Sequence, residues 1–306
     1  MNANYKNFYR NFYLQTGGFL PTKPLNQQVY PGDFFQIRNG EMIILGNIFR
    51  NNTVDPDSCQ IDYNVKLNPI GWKFHDGVTK PYTSRERGHD SEEGAYEYSK
   101  QLISFGATGS FLFKANEPES IKIMNWGSIK DLLIIRLTQT HFSFREIYVV
   151  TESVSTLDWT LAISSDHKAE LEIITDTEGP GLIDVFGHHS SKTILSKDLE
   201  YYHRETNRKP SFFKAKKLMV QDERLEVFIS ELIAQRQFQN EWARSFYKHE
   251  FHYDNEYAPQ IQSHAQVSVL DMLQANELNP NTALQYFRWA DANLDDIEKL
   301  FISYGN

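Results

Sequence analysis

A chain of 306 residues that is 40% hydrophobic and 14% aromatic can bury one or two sizeable cores and is not intrinsically disordered. Its net charge of −9 argues against a generic nucleic-acid binder, which would usually be basic. Cys59 is the single cysteine, so intramolecular disulfides and thiolate-rich metal sites are excluded and a reducing compartment is the natural fit. No run of roughly 18 apolar residues occurs, and Met1 to Lys6 lacks the apolar core of a secretory signal, so the expectation is a cytoplasmic protein.

Tyr5, Phe8, Tyr9, Phe12 and Tyr13 recur with helical spacing, flanked by Lys6 and Arg10 and followed by Gly17-Gly18. This predicts a short amphipathic helix. Its aromatic stripe suits either a protein core or the interfacial zone of a bilayer, with core packing expected first. Strands are expected near 33–38 and 41–48, meeting at the turn signal Asn39-Gly40. Another is expected near 61–67, followed by a polar loop from Thr83 to Gly94. Residues 96–114 read as an extended pair around Gly106 and Gly109. Glu117-Pro118-Glu119 then opens a predicted helix to about Leu137, with Ile121, Met124, Ile129, Leu132 and Leu133 inward.

Residues 145–175 alternate with a period of nearly two. Leu157, Trp159, Leu161 and Ile163 fall on one side, Asp158, Thr160, Ala162 and Ser164 on the other, and Leu171 and Ile173 alternate with Glu170 and Glu172. The pattern predicts a half-buried antiparallel hairpin. A sharper reading is a strand pair that exchanges a protein core for lipid on one face. After Gly179-Pro180-Gly181, residues 182–208 are expected to be irregular or weakly extended. A last strand covers Phe212 to Val220. A long helix from about Asp222 follows, with Leu225, Phe228, Ile229, Leu232 and Trp242 inward.

Residues 251–263 are polar and contain Pro259, which marks a linker. Asn279-Pro280 predicts a helix through Ala290, and Asn293 caps another bearing Ile297, Leu300, Phe301 and Tyr304. So short a helical segment cannot be very stable alone, so its apolar face is expected to dock on something, with a structural cap or a dimerisation element as the plain readings. Charge is uneven as well. Residues 1–50 carry five basic side chains against two acidic ones, and residues 251–306 carry eight acidic against two basic. Such ends attract each other, although a solvated acidic face has the same composition.

Enzymatic chemistry finds no constellation. His75-Asp76, His89-Asp90 and His188-His189 lack a helical His-x-x-x-His partner pattern. Gly106-Ala107-Thr108-Gly109-Ser110 lacks the Gly-Lys-Ser/Thr of a phosphate loop. Cys59 has no identifiable base. The expectation is a protein that is not an enzyme and has no cofactor or metal.

Several segments, in order, carry a resemblance. Arg145 to Val154, containing Tyr148-Val149-Val150-Thr151-Glu152, is similar to a strand of the gasdermin pore-forming family. Pro31 to Arg38 followed by Met42 to Ile48 resembles the first strands of its bacterial members. Ser104 to Lys114 and Lys209 to Leu218 resemble later strands. The resemblance spans about residues 5–245 and implies an α+β fold with a twisted, mainly antiparallel sheet and peripheral helices. It divides the chain into a pore-forming domain (1–250), the linker (251–263) and a helical, autoinhibitory tail (264–306).

By the same resemblance, Tyr5, Lys6, Phe8, Arg10 and Phe12 bind anionic membrane lipid. Tyr148, Val150, Leu157, Trp159, Leu161, Ile163, Leu171 and Ile173 belong to a membrane-inserting hairpin. Leu284, Phe287, Ile297, Leu300 and Phe301 make the inhibitory contacts. A protease or other releasing partner would act near Arg244, Lys248, Asp254 or Tyr257. The released form would oligomerise at the inner face of a membrane and cause cell death in antiviral defence. Two departures stand out: no cysteine lies near the N-terminus, where bacterial members are often acylated, and the tail is longer than theirs. The runner-up is a non-enzymatic binding or scaffold protein whose sheet never leaves its core.

Overall fold

A computed structural model describes residues 2–90, 94–140, 146–176, 191–221, 227, 230 and 280–301. The predicted helix from Asp222 to Trp242, apart from residues 227 and 230, the linker, Gly179 to Gly181, His188-His189 and Tyr304 lie outside those residues.

The architecture is α+β with antiparallel sheets. Helix α1 (Asn2–Thr16) leads to β1 (Leu20–Pro21), β2 (Asp33–Arg38), β3 (Glu41–Asn47), β4 (Ile61–Lys66), β5 (Lys73–Asp76), β6 (Val78–Asp90), β7 (Gly94–Phe105), β8 (Phe111–Asn116) and β9 (Glu119–Ile123). Helix α2 (Trp126–Thr140) precedes β10 (Ile147–Thr156), β11 (Asp158–Ser164), β12 (Glu170–Asp176), β13 (Ser191–Lys197), β14 (Leu199–Glu205) and β15 (Lys209–Val220). The C-terminal part contributes α3 (Pro280–Tyr286), β16 (Phe287–Asp291) and α4 (Leu294–Phe301).

The main sheet runs β1-β15-β10-β2-β3, with β16 also on β15, β9 on β10 and β4 on β9. One of its faces packs on α1 and α4 through a cluster that includes Phe8, Phe35, Tyr148, Phe213 and Ile297. The other packs on α2 and α3 through Phe34, Ile147, Val149, Leu133 and Tyr286. Alternation produces this: Phe34 and Phe35 are neighbours in sequence and point to opposite faces, so each feeds a different core. A second sheet has the order β14-β11-β8-β5, and a third β13-β12-β7-β6.

Several expected elements match. The Asn39-Gly40 turn joins β2 to β3 with both residues at positive φ, 52° and 77°, as a two-residue hairpin of type I′ needs. Helix α1 ends where Gly17 takes φ 75°, and the Gly18 N–H donates to the Tyr13 carbonyl at 2.8 Å, a Schellman-type stop.

Others do not. The stretch 145–175 is no hairpin: β10 pairs with β15, β2 and β9, β11 with β8 and β14, and β12 with β7 and β13. Consecutive strands thus enter three different sheets. Nor is β11 half-buried. Trp159, Leu161 and Ile163 are buried, and so are Asp158, Ala162 and Ser164 on the opposite side. Ala162 and Ser164 are small enough to lie beneath a second layer, so their polarity pattern mimics an exposed face.

The helix predicted from Glu117 begins only at Trp126. Glu117 sits at φ 47° before Pro118, and Ile121 and Ile123, stiff at χ1, extend into β9, Ile121 opposite Ser153 of β10 and Ile123 opposite Ile61 of β4. Met124 is accordingly exposed rather than inward, as Leu132 partly is, while Ile129 and Leu133 are buried as expected. The predicted polar loop 83–94 is mostly β6 and β7, whose antiparallel backbone pairing needs no apolar face. Residues 96–114 are two strands, but β7 and β8 belong to different sheets. Residues 191–205 are the strands β13 and β14, turned at Asp198 with φ 54°. The helix from Pro280 stops at Tyr286, because Phe287 to Asp291 find backbone partners on the edge of β15.

Candidate functional site

The C-terminal segment and α1 build one site on a face of the main sheet. Phe8 and Phe12 of α1 are fully buried, and Phe12 stacks on Phe212 at 4.9 Å between ring centroids. Tyr9 is buried with its hydroxyl donating to the Thr22 carbonyl at 2.6 Å, and Tyr5 meets Tyr201 edge-on at 5.3 Å. The stripe is therefore core. Lys6 and Arg10 lie on the flank, where both engage Glu298 of α4, Arg10 at 3.1 Å.

Helix α4 starts on a reciprocal cap. Asn293 Oδ1 accepts from the Asp295 N–H at 3.0 Å, and Asp296 Oδ2 accepts from the Asn293 N–H at 2.8 Å, the capping-box arrangement with a shorter acid. The other oxygen of Asp296 is the hub of a buried network. It lies 2.8 Å from the Tyr148 hydroxyl, 3.1 Å from Lys217 Nζ and 3.2 Å from Lys299 Nζ. Tyr148 is also 2.8 Å from Glu146, which pairs in turn with Lys299.

Burial by itself would raise the Asp296 pKa. The Asn293 N–H, the Tyr148 hydroxyl and the charges of Lys217 and Lys299 outweigh it and hold the carboxyl below its ordinary value. For Lys299 the burial that would lower its pKa is outweighed by Glu146 and Asp296, so its ammonium titrates higher than usual. Tyr148 is pushed well above its ordinary value by burial and by the two carboxylates. These directions keep Asp296 and Lys299 charged and Tyr148 neutral near neutral pH.

Apolar contacts complete the seat. Ile297 and Leu300 are buried in the same cluster as Phe8 and Tyr148. Phe301 meets Tyr9 edge-on at 5.1 Å, and Lys23 Nζ sits 4.3 Å above the Phe301 ring while donating to the Leu300 carbonyl. Upstream, Tyr286 and Phe287 are buried against α2, and Trp289 meets Trp126 at 5.0 Å with its Nε1 donating to the Lys130 carbonyl at 2.8 Å.

Of the expected docking residues, Phe287, Ile297, Leu300 and Phe301 are thus packed, and Leu284 is exposed. Of the expected hairpin residues, Tyr148, Val150, Trp159, Leu161 and Ile163 share one core cluster, Leu171 lies in another and Leu157 is partly buried. The Ile173 side chain and the cleavage candidates Arg244, Lys248, Asp254 and Tyr257 lie outside the described residues. Glu298, Asp296, Lys217 and Trp289 were not singled out by the sequence. Only Asp296 carried a signal, its spacing of three from Asn293.

Among the described residues no cluster of three His, Cys, Asp or Glu could hold a metal ion. Cys59 is half-buried, and burial pushes its thiol pKa up, which disfavours the thiolate a nucleophile needs. Among those residues, too, no helix is long and apolar enough to cross a membrane, which leaves open crossing by strands.

No protein-family model and no curated protein matches the chain. Among solved structures it is similar to a bacterial gasdermin from Bradyrhizobium tropiciagri, at 8% identity and a TM-score of 0.26, over 66% of this chain and 81% of that one. So loose a likeness carries no functional argument.

Proposed function

We propose that the chain is the inactive form of a pore-forming protein, held closed by its C-terminal strand and helix. The observation that carries the reading is the seat of α4 on α1. Glu298 pairs with both Lys6 and Arg10, the two cations that flank an aromatic helix, while Phe301 covers Tyr9. Release would return both cations and part of that helix to an anionic lipid surface. The sequence resemblance to gasdermins points the same way, and under it the active form is a homo-oligomer at the inner face of a membrane, acting in cell death as antiviral defence. An activating protease, or another releasing partner, would act near Arg244, Lys248, Asp254 or Tyr257.

Strands that leave the core for lipid must pair fully in a closed barrel. β10 and β11 are poor candidates, since both stay buried in the main cores. β6 and β7, 13 and 12 residues long and paired throughout most of their length, exceed the roughly 9–11 residues that a tilted membrane strand requires. The third sheet, in which they lie beside β12 and β13, is the better source of crossing hairpins.

Dye leakage from vesicles of phosphatidylglycerol and phosphatidylcholine tests the reading. The full chain should be inert, and the chain cleaved within 251–263 should leak. Equal inertness of both, with the cleaved chain still folded by circular dichroism, would refute it. That outcome would favour a binding or scaffold protein, the reading to which the two-sided burial of β11 lends weight.

A further inference from the structure

The main sheet has two outer strands that are finished differently. β15 gives its outer backbone to β1 at Phe212 and Phe213, and to β16 from Lys216 to Val220. At the other end β3 pairs, among the described residues, with β2 alone. β3 carries Met42, Ile43, Ile44 and Leu45 in succession, with Ile43 to Leu45 only partly buried; no Lys or Pro lies within the strand, whose guards are the exposed Glu41 at its start and a bulge at Leu45, leaving Met42 to Ile44 regular. Edge strands of stable monomers usually carry such guards against pairing with another chain.

Geometry makes these two edges complementary. β15, β10, β2 and β3 are antiparallel in turn, so β15 and β3 run in opposite directions. A second copy in the same orientation can therefore lay its β3 beside β15 and continue the antiparallel alternation. One row of the sheet passes through Ile44, Phe35, Tyr148, Lys217 and Ala290. With no stagger, Ile44 of the incoming strand would stand where Ala290 stood. Ile43 would then face Leu218, Met42 would face Met219 and Glu41 would face Val220. The contact is heterologous, so it propagates from copy to copy and closes into a ring where the rotation per copy permits.

We infer that β16 is an edge cap, and that its departure exposes the Lys216 to Val220 edge of β15 to β3 of a second copy of this chain. The inference rests on the proposed function for the event that displaces β16, and names the assembly interface that follows.

The test uses the full chain with Cys59→Ser and a protease site inserted in 251–263, cleaved after folding and mixed with phosphatidylglycerol–phosphatidylcholine vesicles. Glu41→Cys chains and Val220→Cys chains of different mass are combined and treated with a short thiol cross-linker. Cross-links between unlike chains are expected after cleavage and not before; like-with-like cross-links, or none, overturn the inference. In a second arm Met219→Cys and Arg288→Cys, register partners on β15 and β16, lock the cap when oxidised. Oxidation should abolish the assembly and reductant restore it. Leakage without unlike cross-links, equal in locked and unlocked protein, overturns the edge inference and leaves the pore reading standing. Unlike cross-links without leakage overturn the pore reading and keep the interface. Absence of both sinks the two together. The cross-linking arm does not depend on the folding of the locked variant.

Discussion

Asp296 shows how much one carboxylate can hold in this molecule. It closes the helix cap, accepts from Tyr148 and neutralises Lys217, which is itself almost wholly buried. Removing its charge with Asp296→Asn leaves Lys217 without its counter-charge in the core, and should cost about 3 kcal/mol in a denaturation midpoint shift at unchanged slope. The pH dependence has a definite sign. A depressed folded-state pKa gives stability that is present above the unfolded carboxylate value of about 3.9 and is lost as pH falls through the folded value. Acidification from pH 7 to 5 should therefore leave the seat of α4 intact as far as Asp296 is concerned; tail release within that window, followed by hydrogen exchange at α4, would contradict this role.

Leu161 makes the opposite point. It is fully buried, so Leu161→Arg puts an unpaired charge in the core and should cost more than about 4 kcal/mol, enough to prevent folding. A soluble, cooperatively melting Leu161→Arg protein would show that β11 is not the two-sided core strand described above.

At the scale of elements, α4 is seated by a cap, an apolar face and a charge contact, and these can be taken apart. Asn293→Ala removes the side-chain acceptor at the helix start and should lower stability by about 1 kcal/mol. Glu298→Lys turns the contact with Lys6 and Arg10 from attraction to repulsion. Because both pairs are solvent-exposed, thermal stability should fall by no more than about 1 kcal/mol. Leakage from anionic vesicles should nonetheless rise, since both cations are freed toward lipid, and the difference from wild type should shrink as salt screens it. Leakage unchanged by Glu298→Lys at low salt would separate α4 from control of α1.

The whole molecule adds a constraint on release. The C-terminal segment is a strand of the main sheet and a helix in its core, not a peptide resting on the surface. Five ladder residues on β15, the buried Ile297 and Leu300, and the Asp296 network all persist when one peptide bond in 251–263 is cut. A chain nicked there should thus co-elute as one species in size-exclusion chromatography at neutral pH without vesicles, and separate only with denaturant or on anionic vesicles. Spontaneous separation in buffer would mean that the seat is far weaker than its burial implies.

The sequence alone determined what local chemistry decides. Asn39-Gly40 fixed the first hairpin, Gly17-Gly18 ended α1, Asn293 opened α4, period-two runs marked β10, β11 and β12 as strands, and the run Phe212 to Val220 marked β15. Tertiary structure alone decided which strands pair. Alternation gives each residue a side of its own strand and says nothing of the neighbour, so three consecutive strands read as a hairpin yet enter three sheets. It also decided that Phe287 to Asp291 is a strand, because the free backbone edge of β15 outweighs a modest helical preference. The candidate site was half legible for the same reason: the apolar stripes of α1 and α4 are periodic, whereas Glu298 meeting Lys6 and Arg10, and Asp296 meeting Lys217, join residues far apart in the chain, and only folding brings such charges together.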